Sequence, residues 1–449
     1  MHFVGLLFAA SACYAEVELP ECGTTQDCPP HKAACIDGRC FHHALDYAVP
    51  LCGVQSDGTC CDFTGAGMEG CQLWTIDQWD SLSAPVAVLA DGIVFSAASD
   101  GKLLLVAVDS SGESLWSHSL GDLGDDTVPL PQPAVNGKGE IAVAAFGTVY
   151  RYDSSGTLLR QVDLDLEVAG AIAHCDDSDV YLMAGAKTVI DIPPNSEPIA
   201  RQFDGGFQFQ SVKQPLGPVV FPKEAIVVVP DEDGERLAAL SLNLNQTLWV
   251  HDQNSLVGQI LGLAAGPGPT VYAMPSQTVL ALDPTVSEEA QSYRWMASVA
   301  RQNTLLTAAP VLNVDQQLMT LTDQGDLVFF SKTQTSAPGT VFSSVYTPAL
   351  FTSPAVWLTR RQAALASTPS GLAFLVPPGT LPDPKLDHPS IHLLQLQCQK
   401  LEISTPRRNG VLAIACDNRL LGFVAPDFQL DNPWPTPRGP TRSGCLRQP

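Results

Sequence analysis

The chain has 449 residues, 45% of them hydrophobic, which is ample for one large domain or two ordinary ones with a buried core and excludes a disordered protein. Its 24 Lys and Arg stand against 47 Asp and Glu, a formal charge of -23, so the surface repels phosphate backbones and anionic lipid headgroups. Nucleic acid is thereby excluded as a partner, and the acidity, spread without a long acidic run, reads as a solvated surface.

At the amino terminus, Phe3 to Ala10 is an apolar run too short to span a bilayer, followed by the small residues Ser11 and Ala12; residues 1–15 read as a signal peptide. No other segment approaches the ~20 apolar residues of a membrane-spanning helix, so no transmembrane helix is expected. Ala10-Ser11-Ala12-Cys13 resembles the lipobox of bacterial lipoproteins, which makes Cys13 the candidate lipid attachment site. An outer-membrane lipoprotein and a periplasmic or secreted protein are the two outcomes this leaves open.

Of the 13 cysteines, only Cys175, Cys398, Cys416 and Cys445 come after residue 72. Residues 16–75 form a candidate disulfide-rich module holding Cys22, Cys28, Cys35, Cys40, Cys52, Cys60, Cys61 and Cys71. So short a stretch buries little and needs crosslinks to hold a shape, which places it in an oxidising compartment. Sequence does not choose its connectivity.

From residue 76 to 449 the texture changes to short apolar strands punctuated by Gly, Pro, Asn and Asp, and an all-β domain is expected. A Pro-apolar strand entry recurs at Pro85-Val86, Pro133-Ala134, Pro218-Val219, Pro310-Val311 and Pro354-Ala355, with weaker units near Ala171, Ala264-Ala265 and Leu401. The period of about 46 residues suits one four-stranded antiparallel propeller blade. The expected fold is therefore a β-propeller of about eight blades, or seven.

Within a unit, strand, Asp-containing turn and Trp follow one another. Leu105-Val106-Ala107-Val108-Asp109-Ser110-Ser111-Gly112-Glu113-Ser114-Leu115-Trp116 is repeated as Val149 to Leu159, with Asp153 and Gly156 in the turn and Arg160 in the place of Trp. Asp caps its own turn and Gly tolerates positive φ, while Trp is expected to pack between blades. Residues 391–404 and 411–416 read as two facing strands, and their register predicts a cross-strand disulfide between Cys398 and Cys416.

This repeat resembles that of pyrroloquinoline-quinone (PQQ)-like propellers, seen in quinoprotein dehydrogenases and in an outer-membrane assembly lipoprotein. The end of the chain, Trp434-Pro435 to Arg438-Gly439, is similar to a segment that flanks such propellers. The resemblance implies either a quinone-dependent dehydrogenase or a binding scaffold.

The dehydrogenase needs a clamped quinone, a metal and an Asp base. Cys60-Cys61 is an adjacent pair of the kind that covers the quinone, but it lies before the first blade, where adjacent cysteines bond to different partners. Gly65-Ala66-Gly67-Met68-Glu69-Gly70 has no strand and helix around it to bind a dinucleotide. Asp231-Glu232-Asp233-Gly234-Glu235 reads as a hairpin tip rather than a calcium loop, and His42-His43 and His388 to His392 lack a third zinc ligand.

No catalytic, cofactor-binding or metal residue is therefore assigned. The expected function is a non-catalytic extracytoplasmic scaffold that binds a protein or glycan partner at the bacterial cell envelope. A PQQ-dependent dehydrogenase and a structural subunit of an outer-membrane complex are its rivals.

Overall fold

The computed structural model describes, with gaps, residues 72–330 and beyond them the strands up to Val424 together with Cys398, Cys445 and Leu446; of residues 1–71 it describes four short strands. These four form two hairpins, Ala34–Ile36 with Arg39–Phe41 and Cys52–Val54 with Cys60–Asp62, so Cys35, Cys40, Cys52, Cys60 and Cys61 fall in strands. Cys13, Cys22, Cys28 and Cys71 lie outside the described residues, as does the Trp434 to Arg438 segment.

All the named elements are strands, and from residue 72 onward they form eight antiparallel sheets of four or five strands. Six of the sheets take their strands in unbroken chain order. The second, for example, runs Ala134–Val135, Ile141–Ala145, Thr148–Tyr152, Leu158–Asp163. The first strands begin within a few residues of the recurring strand entries: Ala87–Val88, Ala134–Val135, Val168–His174, Val219–Phe221, Ile260–Gly266, Val311–Leu312, Val356–Leu358 and Leu401–Ile403.

Burial explains why the strands read as continuous apolar runs. Second strands such as Ile141–Ala145, Val180–Ala184 and Ile226–Pro230 are covered on both faces, because each sheet is packed between two others. Val94 and Leu105 of the first sheet share a core with Val143 and Tyr152 of the second. Phe95 and Val106 meet Ala413 and Leu420 of the eighth on the other side, so the sheets close into a ring. Each such buried Val, Leu or Phe contributes about 1.5–3 kcal/mol. First strands of neighbouring sheets, such as Val219–Phe221 and Ile260–Gly266, lie against one another and define the inner side; fourth strands alternate between exposed and half-buried residues and form the outer rim. This is a β-propeller.

The ring is sealed by its own start. Strand Gln72–Ile76 is the outermost strand of the eighth sheet, paired to Arg419–Val424 with Leu420 opposite Ile76 and Gly422 opposite Trp74. The boundary expected at residues 75 and 76 thus falls inside a propeller strand.

The Asp turn and the Trp are two halves of one lock between sheets. Asp109 Oδ1 accepts the Ser111 and Glu113 amides at 2.8 and 2.9 Å, and Asp153 Oδ1 accepts those of Ser155 and Thr157 at 2.9 and 2.8 Å. The turns they shape present a carbonyl and a glycine to the preceding sheet. Trp74 Nε1 donates to Ser110 O at 2.8 Å and Trp116 Nε1 to Ser154 O at 3.1 Å. Gly112 (φ 83°) and Gly156 (φ 84°) lie under those indoles, where a Cβ would come within 2.8 and 2.7 Å of the ring.

Where Trp is replaced, Arg makes the same bridge. Arg160 donates to Pro193 O and Ser196 O of the third sheet, and Arg201 to Leu244 O and Thr247 Oγ1 of the fourth, both at 2.8 Å.

One strand assignment is corrected. Residues 391–404 are not a single strand: Ile391–Gln395 is the outer strand of the seventh sheet, and Leu401–Ile403 is the first strand of the eighth, with Leu401 opposite Cys416. The register is therefore two residues away from the expected one, and Cys398 lies in the link between two sheets. It is nonetheless bonded to Cys416, with Cα atoms 5.3 Å apart.

Candidate partner-binding face

Because strands alternate in direction, the turns after first and third strands lie on one face of the ring, while the turns after second strands and the links between sheets lie on the other. The two faces are built from different chemistry.

The first face carries the ionisable clusters. In the second sheet, Asn136 Oδ1 caps its turn by accepting the Lys138 and Glu140 amides at 3.0 and 2.9 Å, and its Nδ2 reaches Glu140 Oε2 at 3.0 Å and Cys175 O of the third sheet at 3.1 Å. Glu140 Oε2 also takes Arg151 at 3.1 Å and lies 3.7 Å from His174 Nε2. His174, with Ser178, Asn136 and Arg151, holds the Glu140 carboxyl well below the usual carboxylate range, while burial pushes the His174 imidazole down. In the third sheet burial, reinforced by Asp179 and Asp177, pushes Asp191 up to about 7; its Oδ1 has no hydrogen-bond partner among the described residues.

A Glu, a His and a raised Asp are ingredients of acid–base chemistry. Here, however, His174 exposes no surface, and the contacts of Asn136, Glu140 and His174 bridge one sheet's turn to the next. This is a seam.

The Asp191 shift has a signed consequence. An ordinary Asp in the unfolded chain titrates near ~3.9, so between about pH 4 and pH 7 the folded state holds a proton that the unfolded state has released. Stability contributed at this position falls as pH rises across that window and levels off above it. Asp191→Asn is expected to raise the thermal midpoint at pH 8 and leave it nearly unchanged at pH 4; an equal gain at both would rule out the buried acid as its cause.

A second cluster has the look of a nucleophile and its base. His251 Nε2 is 2.6 Å from Ser292 Oγ, and Tyr293 OH is 3.2 Å from His251 Nδ1. Both His251 and Ser292 are fully buried, and they stand where an outer strand meets the next sheet's turn, with Trp249 against the imidazole. His251 stands two residues beyond Trp249 on the outer strand, as His118 stands two beyond Trp116 and reaches Gly156 O at 2.7 Å, so the pair is a further bridge between neighbouring sheets.

Asp231 caps its own hairpin, its Oδ1 accepting the Glu235 and Arg236 amides at 2.8 and 3.0 Å, and among the described residues no group of three His, Cys, Asp or Glu is placed to hold a metal.

The chain's end is fastened to the inner side. Cys445 bridges in parallel to Val220 in the first strand of the fourth sheet, Leu446 N donates to Val220 O at 2.9 Å, and Cys445 is bonded to Cys175 at the end of the third sheet's first strand. Sequence reasoning did not pair Cys175 with Cys445, although with Cys398 and Cys416 joined they are the two cysteines left beyond residue 72.

The opposite face differs in its apolar surface. Of the ten large exposed hydrophobics among the described residues, seven, from Leu73 to Met296, sit in outer strands, where every second side chain faces outward. The other three, Phe146, Leu166 and Leu305, are 56, 38 and 39% exposed and all belong to turns or links of this face.

Phe146 stands out conformationally as well. Three two-residue hairpins on this face have a first central residue at positive φ: Asp100 (51°), Phe146 (50°) and Asp417 (56°). Asp tolerates that conformation through its short polar side chain, whereas a bulky residue is strained there. The Phe146 ring lies over Gly121 of the first sheet, and the Leu166 side chain lies by Gly185 of the third with its carbonyl by Gly147, so two exposed apolar side chains form a strip along the first three sheets. Neither residue was singled out by sequence; the signal was Phe-Gly at a turn that elsewhere takes Asp.

The class defined by these features is a closed, disulfide-fastened β-propeller with one apolar strip on a face. Solved structures similar to it are propellers too. BamB from Moraxella catarrhalis superposes with a TM-score of 0.54 at 15% identity, covering 79% of this chain and 99% of that one. The C-terminal WD40 domain of Sif2 gives 0.54 at 10% identity, with 79 and 97% covered, and the Dos1 propeller 0.53 at 9%, with 79 and 95%. At these identities the likeness establishes the fold alone. No protein-family model and no curated protein matches the sequence.

Proposed function

We propose that the chain is a non-catalytic protein-binding scaffold: an eight-bladed propeller of PQQ-like repeats, each sheet one blade, exported to the cell envelope. The observation that carries this reading is Phe146, which bears two penalties at once, a positive φ and an exposed aromatic ring, at a hairpin tip where Asp would be free of both. Aromatic residues anchored on a rigid support are what protein interfaces concentrate their binding energy in.

Two features support the rest of the proposal. The bonded pairs Cys175–Cys445 and Cys398–Cys416 fit an oxidising compartment outside the cytoplasm. The described His, Ser, Asp and Glu clusters serve as seams, which leaves loops on a rigid disc as the working surface.

Phe146→Asn tests the reading. Asn-Gly is the favoured sequence for a hairpin with positive φ at both central residues, so the variant is expected to raise the thermal midpoint by about 1–2 °C. A photo-crosslinking residue at position 146 is expected to give a discrete adduct in the producing cell, while one at position 115 on the rim gives none. A lowered midpoint would make the ring a structural element, and no adduct at 146 would remove the binding site.

A further inference from the structure

The strip around Phe146 is bordered by carboxylates. Leu166 is flanked in sequence by Asp165 and Glu167, and all three are exposed. Asp163, also exposed, accepts the Thr148 hydroxyl at 2.8 Å, and Thr148 follows the Phe146-Gly147 turn directly. The link is pinned beside that turn, since Leu164 N donates to Gly147 O at 2.9 Å and Gly185 N to Glu167 O at 2.6 Å. The nearby cations lie at the ends: Lys102 stands opposite Asp122 in the first sheet, and Lys187 lies beyond Gly185 in the third. Asp122 offsets Lys102, which leaves Asp163, Asp165 and Glu167 against Lys187 along the strip.

Resting on the scaffold reading above, we infer that this strip docks a basic amphipathic segment of a protein partner. An aliphatic or aromatic side chain of the segment seats against Phe146 and Leu166 while its Lys or Arg residues meet Asp163, Asp165 and Glu167. Charge complementarity selects this occupant. An acidic or uncharged apolar segment would bury carboxylates without partners, whereas a basic one pairs them. The chain's charge of -23 steers such a segment inward from a distance. The apolar seat supplies affinity and the rim supplies sign, so both are required.

The test uses the full chain and three labelled synthetic peptides of equal length, alternating Leu with Lys, Leu with Glu, and Ser with Lys, read by fluorescence anisotropy. The Leu/Lys peptide is expected to bind at least tenfold more tightly than either of the others, and more weakly as salt rises. Phe146→Asn and the pair Asp165→Lys with Glu167→Lys are each expected to weaken it about tenfold or more. Glu113→Lys, in a turn of the opposite face, leaves it unchanged, which separates docking here from general attraction to an acidic protein. Thermal unfolding confirms that each variant is folded.

Equal binding of the Leu/Glu peptide, or equal loss with Glu113→Lys, overturns the inference about partner chemistry while leaving the scaffold reading to the crosslinking result. Binding that ignores Phe146→Asn overturns the location.

Discussion

A chain from which strand Gln72–Ile76 alone is deleted is expected to lose its single cooperative unfolding transition. Deleting those five residues removes the outer strand of the eighth sheet and exposes the edge of Arg419–Val424. It also removes Trp74, which lies across Gly422 so closely that a Cβ there would come within 2.1 Å of the ring, and which donates to Ser110 O in the first sheet. One indole thus holds the two ends of the ring together. Trp74→Ala in the intact chain should cost roughly 3 kcal/mol, at the lower end of the range for a large aromatic because the ring is half-buried. Guanidinium titration followed by tryptophan fluorescence and far-ultraviolet circular dichroism reads both variants. Coincident transitions with an unchanged midpoint for the shortened chain would show that the ring is closed elsewhere.

Removing the Cys175–Cys445 bridge should be the more costly of the two disulfide deletions. The bridge joins residues 270 apart, whereas Cys398–Cys416 spans 18. On loop-closure entropy the long bridge is worth about 5.6 kcal/mol and the short one about 3 kcal/mol. The long bridge also holds Cys445 and Leu446 against Val220, so its loss frees a buried Leu as well. Replacing both members of each pair with Ser and comparing denaturant midpoints gives the order directly. A larger drop for the Cys398 and Cys416 pair would mean that the tail stays docked without its covalent link.

Much of the fold was legible because it repeats. A Pro-apolar entry and an Asp turn followed by Trp are local patterns, and their recurrence locates first strands and locks alike. The Trp74 and Trp116 locks carry the physical reason for the pattern, since the Gly of each turn is the floor for the preceding sheet's indole.

What was illegible was non-local or lacked punctuation. No Gly or Pro separates Gln395 from Leu401, so the boundary between two sheets reads as one strand. Strand Gln72–Ile76 adjoins Cys71, and its partner lies near the other end of the chain. The exposed Phe146 was hidden for a different reason: Ala145-Phe146-Gly147-Thr148 looks like the middle of a strand until the hairpin register places Phe146 at its tip. The contact between Glu140 and His174 joins separate sheets and follows no period.

Closure by the first propeller strand sets an order of events. The partner of Trp74 is residue 422, and the residue that fastens Cys175 is 445. A ribosome that has made the first seven sheets has therefore produced neither closing contact, and every intermediate along the way carries unpaired edges. The folded disc therefore comes into being only once residues 419–424 have been synthesised and have met the strand made some 340 residues before them.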